Sequence, residues 1–442
     1  MRAAVLGGGV TGSVIARELA ARGDDVVLYE AGPEIGGLVA SHQIGGTPIE
    51  AFYHHIFTHE THIQDLIAEV GVGDKLEWLP SSVGIFHTDG HIWPFTSPRD
   101  LLAFEPMPLF DRVRMGATSL LAPYLSDWHK LDDVSAGDWI RRTMGRSAYE
   151  TIWEPMLRVK WTGVYEDLPA AWVWARLSQR ARSRDKDLGE KLGYMRGGFR
   201  SLYLALQDDL VARGVELRLN TKVRRITASG GRVTGVTTDD GHEVFDHVIS
   251  TLPVPVFAGL AEGLPEDYRR RVEAVEYMWV ICVILTMDRQ VQPIYWVNVA
   301  DRSIPFGAYI EHTNLLPTSD YDGNHIAYLG RYFPPPGRGA ESDAESERLA
   351  HGDLYEIADE WIGHIAKLNP DFDRSWVTDV APFRTAYASP LVQLGHGKRR
   401  LPFATPVDGL WLATMAQIYP DDRGQSEGVR LGLRAVQAIG RG

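Results

Sequence analysis

The first thirty residues pass from one hydrophobic period to another. Residues 2–6 form a short apolar run, residues 12–22 carry apolar side chains at helical spacing, and residues 25–29 form a second run. Strand, helix, strand in that order predicts the βαβ start of a doubly wound parallel sheet. Residues 60–190 read as helix-rich, dense in Trp, Tyr and Arg, with breaks at Pro94, Pro98, Pro106, Pro108 and Pro123. Within them, Val83 to Thr96 suggests a hairpin. Leu109 to Leu125 is amphipathic and reads as a core helix with an arginine-bearing outer face.

Near residue 193 the α/β pattern resumes. A Gly197-Gly198 turn leads into a helix ending near Arg213, followed by strand-like runs at 215–219, 222–227, 232–238 and 243–250. Beyond about 255 the pattern predicts a mixed sheet, with strands near 278–288, 306–312 and 325–332 and a loop at Pro334-Pro335-Pro336-Gly337. The chain closes with a strand at Leu410 to Thr414 and a helix from about Glu427. No internal repeat or heptad is present. The expected fold class is therefore α/β. A discontinuous Rossmann-like unit (1–60, 190–255 and 400–442) accompanies a second unit (61–189 and 256–399) of mixed sheet plus a helical subregion.

Composition narrows the function. A chain of 442 residues with 44% apolar and 23% charged residues has ample material for more than one core. A net charge of -13 opposes general nucleic-acid binding, which needs positive surface. The single cysteine, Cys282, lies in an apolar run and reads as a buried thiol. It excludes disulfides and CxxC chemistry within the chain and suits a reducing, cytoplasmic setting. No run of about 18 apolar residues predicts a membrane span, although peripheral membrane contact stays open.

Gly7-Gly8-Gly9-Val10-Thr11-Gly12 is a GxGxxG that follows a strand and opens a helix. Gly7 allows the turn, Gly9 allows a pyrophosphate to approach the backbone, and Gly12 allows close helix–strand packing. The helix N-terminus faces the anion. Glu30, at the end of the second strand, is placed to accept hydrogen bonds from a ribose. NAD and FAD share this fingerprint. Gly36-Gly37 then brings a second stretch of backbone towards the dinucleotide.

From here the chain resembles the flavin amine oxidase and protoporphyrinogen oxidase superfamily. The likeness includes Gly197-Gly198-Phe199 before a helix, Leu219-Asn220-Thr221-Lys222-Val223, Ser250-Thr251-Leu252-Pro253, and Leu410-Trp411-Leu412-Ala413 followed by Gly424 and Gly428-Val429. It implies FAD, with Val223 on the adenine, Thr251 near the cofactor, Met415, Ala416 and Gln417 towards the pyrophosphate or ribityl chain, and Gly428 and Val429 bringing a helix N-terminus to the flavin. This chain departs from the family in having Thr414-Met415-Ala416-Gln417 where Gly-Asp is common. With no cysteine near that segment, a non-covalent flavin is expected. With no second GxGxxG, electrons are expected to pass to oxygen or another acceptor.

Candidate catalytic residues are His54 and His55, where relatives carry an acid and a histidine close to the flavin ring, and Lys160, where the resemblance raises a lysine holding water beside the flavin. Histidine ordinarily titrates near neutrality and can move a proton there. His54, His55, His59 and His62 lack the accompanying cysteines or carboxylates of a metal motif, so no metal is expected. Trp153 to Trp161, with Trp172, Trp174, Arg176, Arg180, Arg182 and Arg184, interleaves aromatics with cations, a combination that can stack on a ring and grip an anion. Arg158 and Lys160 are the favoured anion contacts. Asn314, Arg331, Arg384 and Tyr387 are further substrate candidates.

The leading expectation is an FAD-dependent oxidoreductase taking hydride from a C–N or C–C site of a medium-sized, anionic or ring-bearing molecule. The alternative resembles UDP-galactopyranose mutase, on the strength of His54-His55-Ile56-Phe57-Thr58-His59 and the Trp93-Pro94-Phe95 hairpin. A flavin-binding protein without turnover ranks below both. An isoprenoid desaturase is a further possibility, and in that case Leu109 to Leu125 would rest on a membrane.

Overall fold

The computed structural model describes residues 1–440 apart from 45, 125–126, 184–189 and 338–342. Arg2–Leu6 forms the middle of a five-stranded parallel sheet, in the order Glu216–Arg218, Asp25–Tyr29, Arg2–Leu6, His247–Ser250 and Leu410–Leu412. Ala3, Ala4 and Val5 are fully buried, as expected for a parallel strand covered on both faces. The carboxyl ends of these strands lead directly into the glycine turn, Glu30, Thr251 and Thr414, along the edge where open α/β sheets bind ligands.

Helix Val10–Ala21 begins two residues before the sequence expectation, and the last helix spans Gln425–Ile439. The run expected at 243–250 divides in two. Gly241–Val244 joins an antiparallel three-stranded sheet with Arg225–Ser229 and Arg232–Thr238, while His247–Ser250 enters the parallel sheet. The strand expected at 222–227 starts later, at Arg225, because Asn220 adopts a positive φ of 52° in the preceding turn.

The second sheet has seven strands, in the order Val377–Pro390, Tyr277–Met287, His325–Phe333, Ala308–Glu311, Trp296–Val299, Val83–Phe86 and Ile92–Pro94. The expected strands around 278–288, 306–312 and 325–332 are present, as is the 83–96 hairpin. Its longest strand, Val377–Pro390, escaped the sequence reading because Pro382 and Pro390 interrupt it. Its edge position resolves the conflict, since an edge strand needs a donor on one side only. Helices Asp343–His351 and Leu354–Gly363, also unforeseen, cover the face of this sheet that carries Ile281 and Leu329. Cys282 is fully buried in the strand Tyr277–Met287, as expected.

The helix-rich region includes Pro98–Ala103, Leu109–Leu121, Ala136–Thr143, Glu154–Lys160 and Ala170–Ser183 around a core containing Trp139, Trp153, Trp161 and Trp172. One expectation is reversed here. Helix Leu109–Leu121 turns its apolar residues outward and buries only Met115. Its polar side chains face inward because they find carbonyl partners there: Thr118 Oγ1 and Arg114 Nε donate to the Thr143 carbonyl at 3.1 and 2.9 Å. Leu125 and Arg184 lie outside the described residues.

Candidate active site

The glycine turn is braced from several sides. Gly7 N donates to Tyr29 O, and Gly36 N donates to Gly8 O, both at 2.9 Å. The Thr251 hydroxyl donates to Leu6 O at 2.9 Å and lies 3.2 Å from Gly7 O, so this side chain locks the turn from behind. Glu30 accepts from Gly8 N at 2.7 Å and Gly32 N at 2.8 Å, one contact per carboxylate oxygen. Each oxygen keeps a lone pair for a ribose hydroxyl.

Helix Val10–Ala21 has Gly9 at its N-cap, no side-chain cap and no acid in its first turn. Its first amides therefore face outward as an anion site. At Gly37 φ is +60°, and a Cβ there would stand 3.2 Å from Gly9 Cα. The two glycine segments thus line a slot that side chains would fill.

A second helix N-terminus converges on the first. A Cβ on Gly428 would come within 2.5 Å of Val10 Cγ1, and the Thr11 hydroxyl donates to Gly428 O at 3.1 Å. Gln425, in the first turn of that second helix, accepts from the Tyr203 hydroxyl at 3.0 Å. Its buried Nε2 has no protein partner. Free amides, a backbone-lined slot and an orphaned donor fit a dinucleotide, and Gly9, Val10, Thr11, Gly12, Glu30 and Gln425 are the residues that would hold it.

Beyond this slot, side chains of the mixed sheet and the helical layer meet around Lys160 and Asp422. Lys160 ends helix Glu154–Lys160, which follows a π-helical turn at Tyr149–Trp153. Pro155 has no amide to donate to the preceding turn, which favours that wider winding. Lys160 Nζ donates to Asp422 Oδ2 at 2.6 Å and lies near the rings of Trp161, Trp172 and Tyr332. Arg176 also bonds Asp422, and Arg423 donates to the Tyr332 hydroxyl at 2.7 Å. Burial works to raise the Asp422 carboxyl, but Lys160, Arg176 and Arg423 together outweigh it and hold the group well below the usual carboxylate range. Lys160 loses hydration and shares its one carboxylate. Burial, opposed by Asp422 and reinforced by Arg176 and Arg423, pushes it down to about 7.

His54 and His55 are buried close to these charges, His54 near Arg423 and His55 near Arg176. His54 Nδ1 lies 2.6 Å from Phe52 O, so it carries the proton and leaves Nε2 as the acceptor. His55 packs edge-on against Phe57 and Trp296, and its Nδ1 has no protein partner. The expectation of a titration near neutrality fails. Burial lowers His54 to about 4 and, with His54, Arg180 and Arg176 adding to it, lowers His55 to about 3. Both are neutral imidazoles at pH 7, suited to hydrogen bonding and not to shuttling a proton.

Several predicted residues sit elsewhere. Arg331 and Arg384 both pair across Ile281, on the far face of the mixed sheet. Arg331 bonds Glu345 at 2.9 Å, and Arg384 donates to Leu349 O and Gly352 O. The period of two decides this, because Tyr328, Gly330 and Tyr332 take the opposite face, with Tyr53 against Gly330. Asn314 is held by Gln292 O at 2.8 Å and by Gln290. Arg158 turns from Lys160 towards Glu154 and Ala300 O.

Tyr387 packs edge-on against Tyr277, whose hydroxyl receives Val254 N, beside the cofactor-side segments. Gln417 spends its amide on Thr414 N and on the Leu401, Pro402 and Leu412 carbonyls, so its side chain fixes the loop. Met415 and Ala416 form one short helical turn with it, and Val223 and Val429 are buried. The sequence reading missed Asp422, Arg423 and Tyr53. The charged run Asp421-Asp422-Arg423 just before the Gly424-led helix was the available signal. Among the described residues, no group of three metal-ligating side chains is assembled.

The sequence pattern of the family described as flavin containing amine oxidoreductase matches residues 10–439. The chain is 27% identical over 287 residues to a Mycobacterium tuberculosis protein named a flavin-containing monoamine oxidase, AofH, across 60% of this chain and 60% of that protein's length. A protein from Exiguobacterium sp. 255-15, named a protoporphyrinogen oxidase, shares the fold with a TM-score of 0.76 at 22% identity, over 99% of this chain and 98% of that one. Reduced UDP-galactopyranose mutase shares it with a TM-score of 0.70 at 15% identity, over 100% and 96% of the two chains.

Proposed function

The chain belongs to the flavin containing amine oxidoreductase family, and from that premise we propose an oxidoreductase that holds FAD non-covalently and oxidises a small, ring-bearing anion in a cleft around Lys160. The cofactor unit is assigned to 1–60, 190–255 and 400–442, and the substrate unit to 61–189 and 256–399. Bound FAD supplies a two-electron acceptor for a hydride from a C–N or C–C site.

The observation that carries the substrate class is the excess of cations over carboxylates in an aromatic-walled cluster: Lys160, Arg176 and Arg423 face one Asp422. Arg176 and Arg423 would grip the anion, while Trp172 and Tyr332 would cover a ring. Lys160, poised at about 7, can accept or release a proton at Nζ near neutral pH. His54 and His55 would orient the substrate as neutral hydrogen-bonding groups. Walls of this kind exclude water and fix orientation.

The test is the absorption spectrum of the purified protein during anaerobic addition of cyclic amines, carboxylated ring compounds and sugar nucleotides. Bleaching by a ring-bearing anion and recolouring in air is the expected result. A protein that takes up no flavin refutes the cofactor assignment, and bleaching only by uncharged or cationic amines refutes the substrate class. The likeness to reduced UDP-galactopyranose mutase, with the clustered arginines, supports a second reading in which a diphosphate occupies the cleft. Turnover of a sugar nucleotide by pre-reduced enzyme alone, without net oxidation, would select it.

A further inference from the structure

Helix Leu109–Leu121 is built inside out. At about 100° per residue, Leu109, Phe110, Val113, Leu120 and Leu121 share one face, and their exposures are 60%, 74%, 55%, 58% and 58%. Tyr124 and Leu102 extend the patch. Of the twelve large apolar side chains exposed among the described residues, seven lie between 102 and 124. Apolar surface gathered in this way marks an interaction site, whereas scattered exposed residues need no explanation. The orientation is imposed by the inward hydrogen bonds of Arg114 and Thr118.

Charge identifies the partner. In a chain of net charge -13, Arg99, Arg112, Arg114 and Arg142 have no carboxylate within ion-pairing distance among the described residues. Arg112 donates to Met107 O and Leu102 O, and Arg114 to Thr143 O and Arg142 O, so carbonyls and not carboxylates are their partners. Of the nearby acids, Asp100 is engaged in the cap at Ser97, Asp111 faces inward against Gly145, and Glu105 stays exposed.

We propose that this face docks on an anionic lipid bilayer, with the apolar stripe in the acyl–headgroup boundary and Arg99, Arg112 and Arg142 at the level of the phosphates. A symmetric pairing of two copies would bring two sets of these unneutralised arginines into one interface, whereas lipid phosphates neutralise them. The face also adjoins the charges around Lys160. Trp174 Nε1 donates to Ala122 O at 2.7 Å, and two residues further along the same helix Arg176 reaches Asp422.

The test is flotation of the full chain with phosphatidylcholine vesicles and with vesicles that also contain phosphatidylglycerol. It needs no flavin turnover and so stands apart from the proposed reaction. The wild type is expected to float with the anionic vesicles, F110S/L121S to lose about tenfold or more of that partitioning, and R99Q/R142Q to lose the preference for phosphatidylglycerol and its salt sensitivity. Unchanged thermal midpoints in both variants would show that the fold is intact. A wild type that floats with neither vesicle overturns the proposal. So does a wild-type dimer that F110S/L121S converts to monomer, which would assign the face to a second copy.

Discussion

An ammonium that shares one carboxylate with neighbouring guanidiniums is charged below about pH 7 and neutral above it at Lys160. For an anionic substrate, KM should therefore rise as pH passes upward through 7, by about tenfold for one lost charge contact. Lys160→Met should show a high KM that no longer varies over this range, and Lys160→Arg a low one; steady-state kinetics from pH 6 to 8.5, spanning roughly the working range of such a group, would measure this. A wild-type KM independent of pH would remove Lys160 from the anion site.

The two histidines give a second, opposite dependence. Their native values of about 4 and 3 lie below the ordinary 6.5. Their contribution to stability is therefore fully present above 6.5 and lost as pH falls through that value towards 3, by a few kcal/mol. Thermal melts of wild type and His55→Gln without cofactor should converge as pH falls. None of these shifts was visible in the residue names, because each is set by burial and by charges from distant parts of the chain.

The glycine turn, the strand before it and the helix after it were read correctly because their signals are local: a backbone geometry, an apolar run and a helical period within about a dozen residues. That close approach is also testable. Gly37→Ala places a Cβ 3.2 Å from Gly9 Cα at φ +60°, and should weaken FAD binding by about tenfold or more, roughly 1–3 kcal/mol of strain. Gly428→Val should separate the two helix N-termini, with a comparable loss in a fluorescence titration of FAD. If both variants bind FAD as the wild type does, the slot is not the dinucleotide site. Legibility failed where the environment overruled the pattern. Strand Val377–Pro390 tolerates its prolines only because it lies at an edge, and helix Leu109–Leu121 reverses its faces because its polar groups find carbonyls beneath them.

The parallel sheet gathers strands from both ends and the middle of the chain, and its apolar core runs on into the mixed sheet through Ile310, Ile326 and Tyr328. A dinucleotide held at the edge of that sheet binds only the folded chain. Saturating FAD at about a hundred times its Kd should then add ~2.7 kcal/mol and raise the unfolding midpoint of the whole molecule in one transition. A midpoint indifferent to FAD would contradict the assignment. The sequence by itself determined the fold class, the glycine turn and the place of Glu30 at the end of the second strand, because each depends on contacts made within a short stretch of chain. The tertiary structure decided the site around Lys160. Lys160 meets Asp422 across 262 positions, strand alternation sends Tyr332 inward and Arg331 outward, and burial sets the protonation of His54 and His55; desolvation and charge proximity depend on three-dimensional distance, which spacing along the chain does not encode.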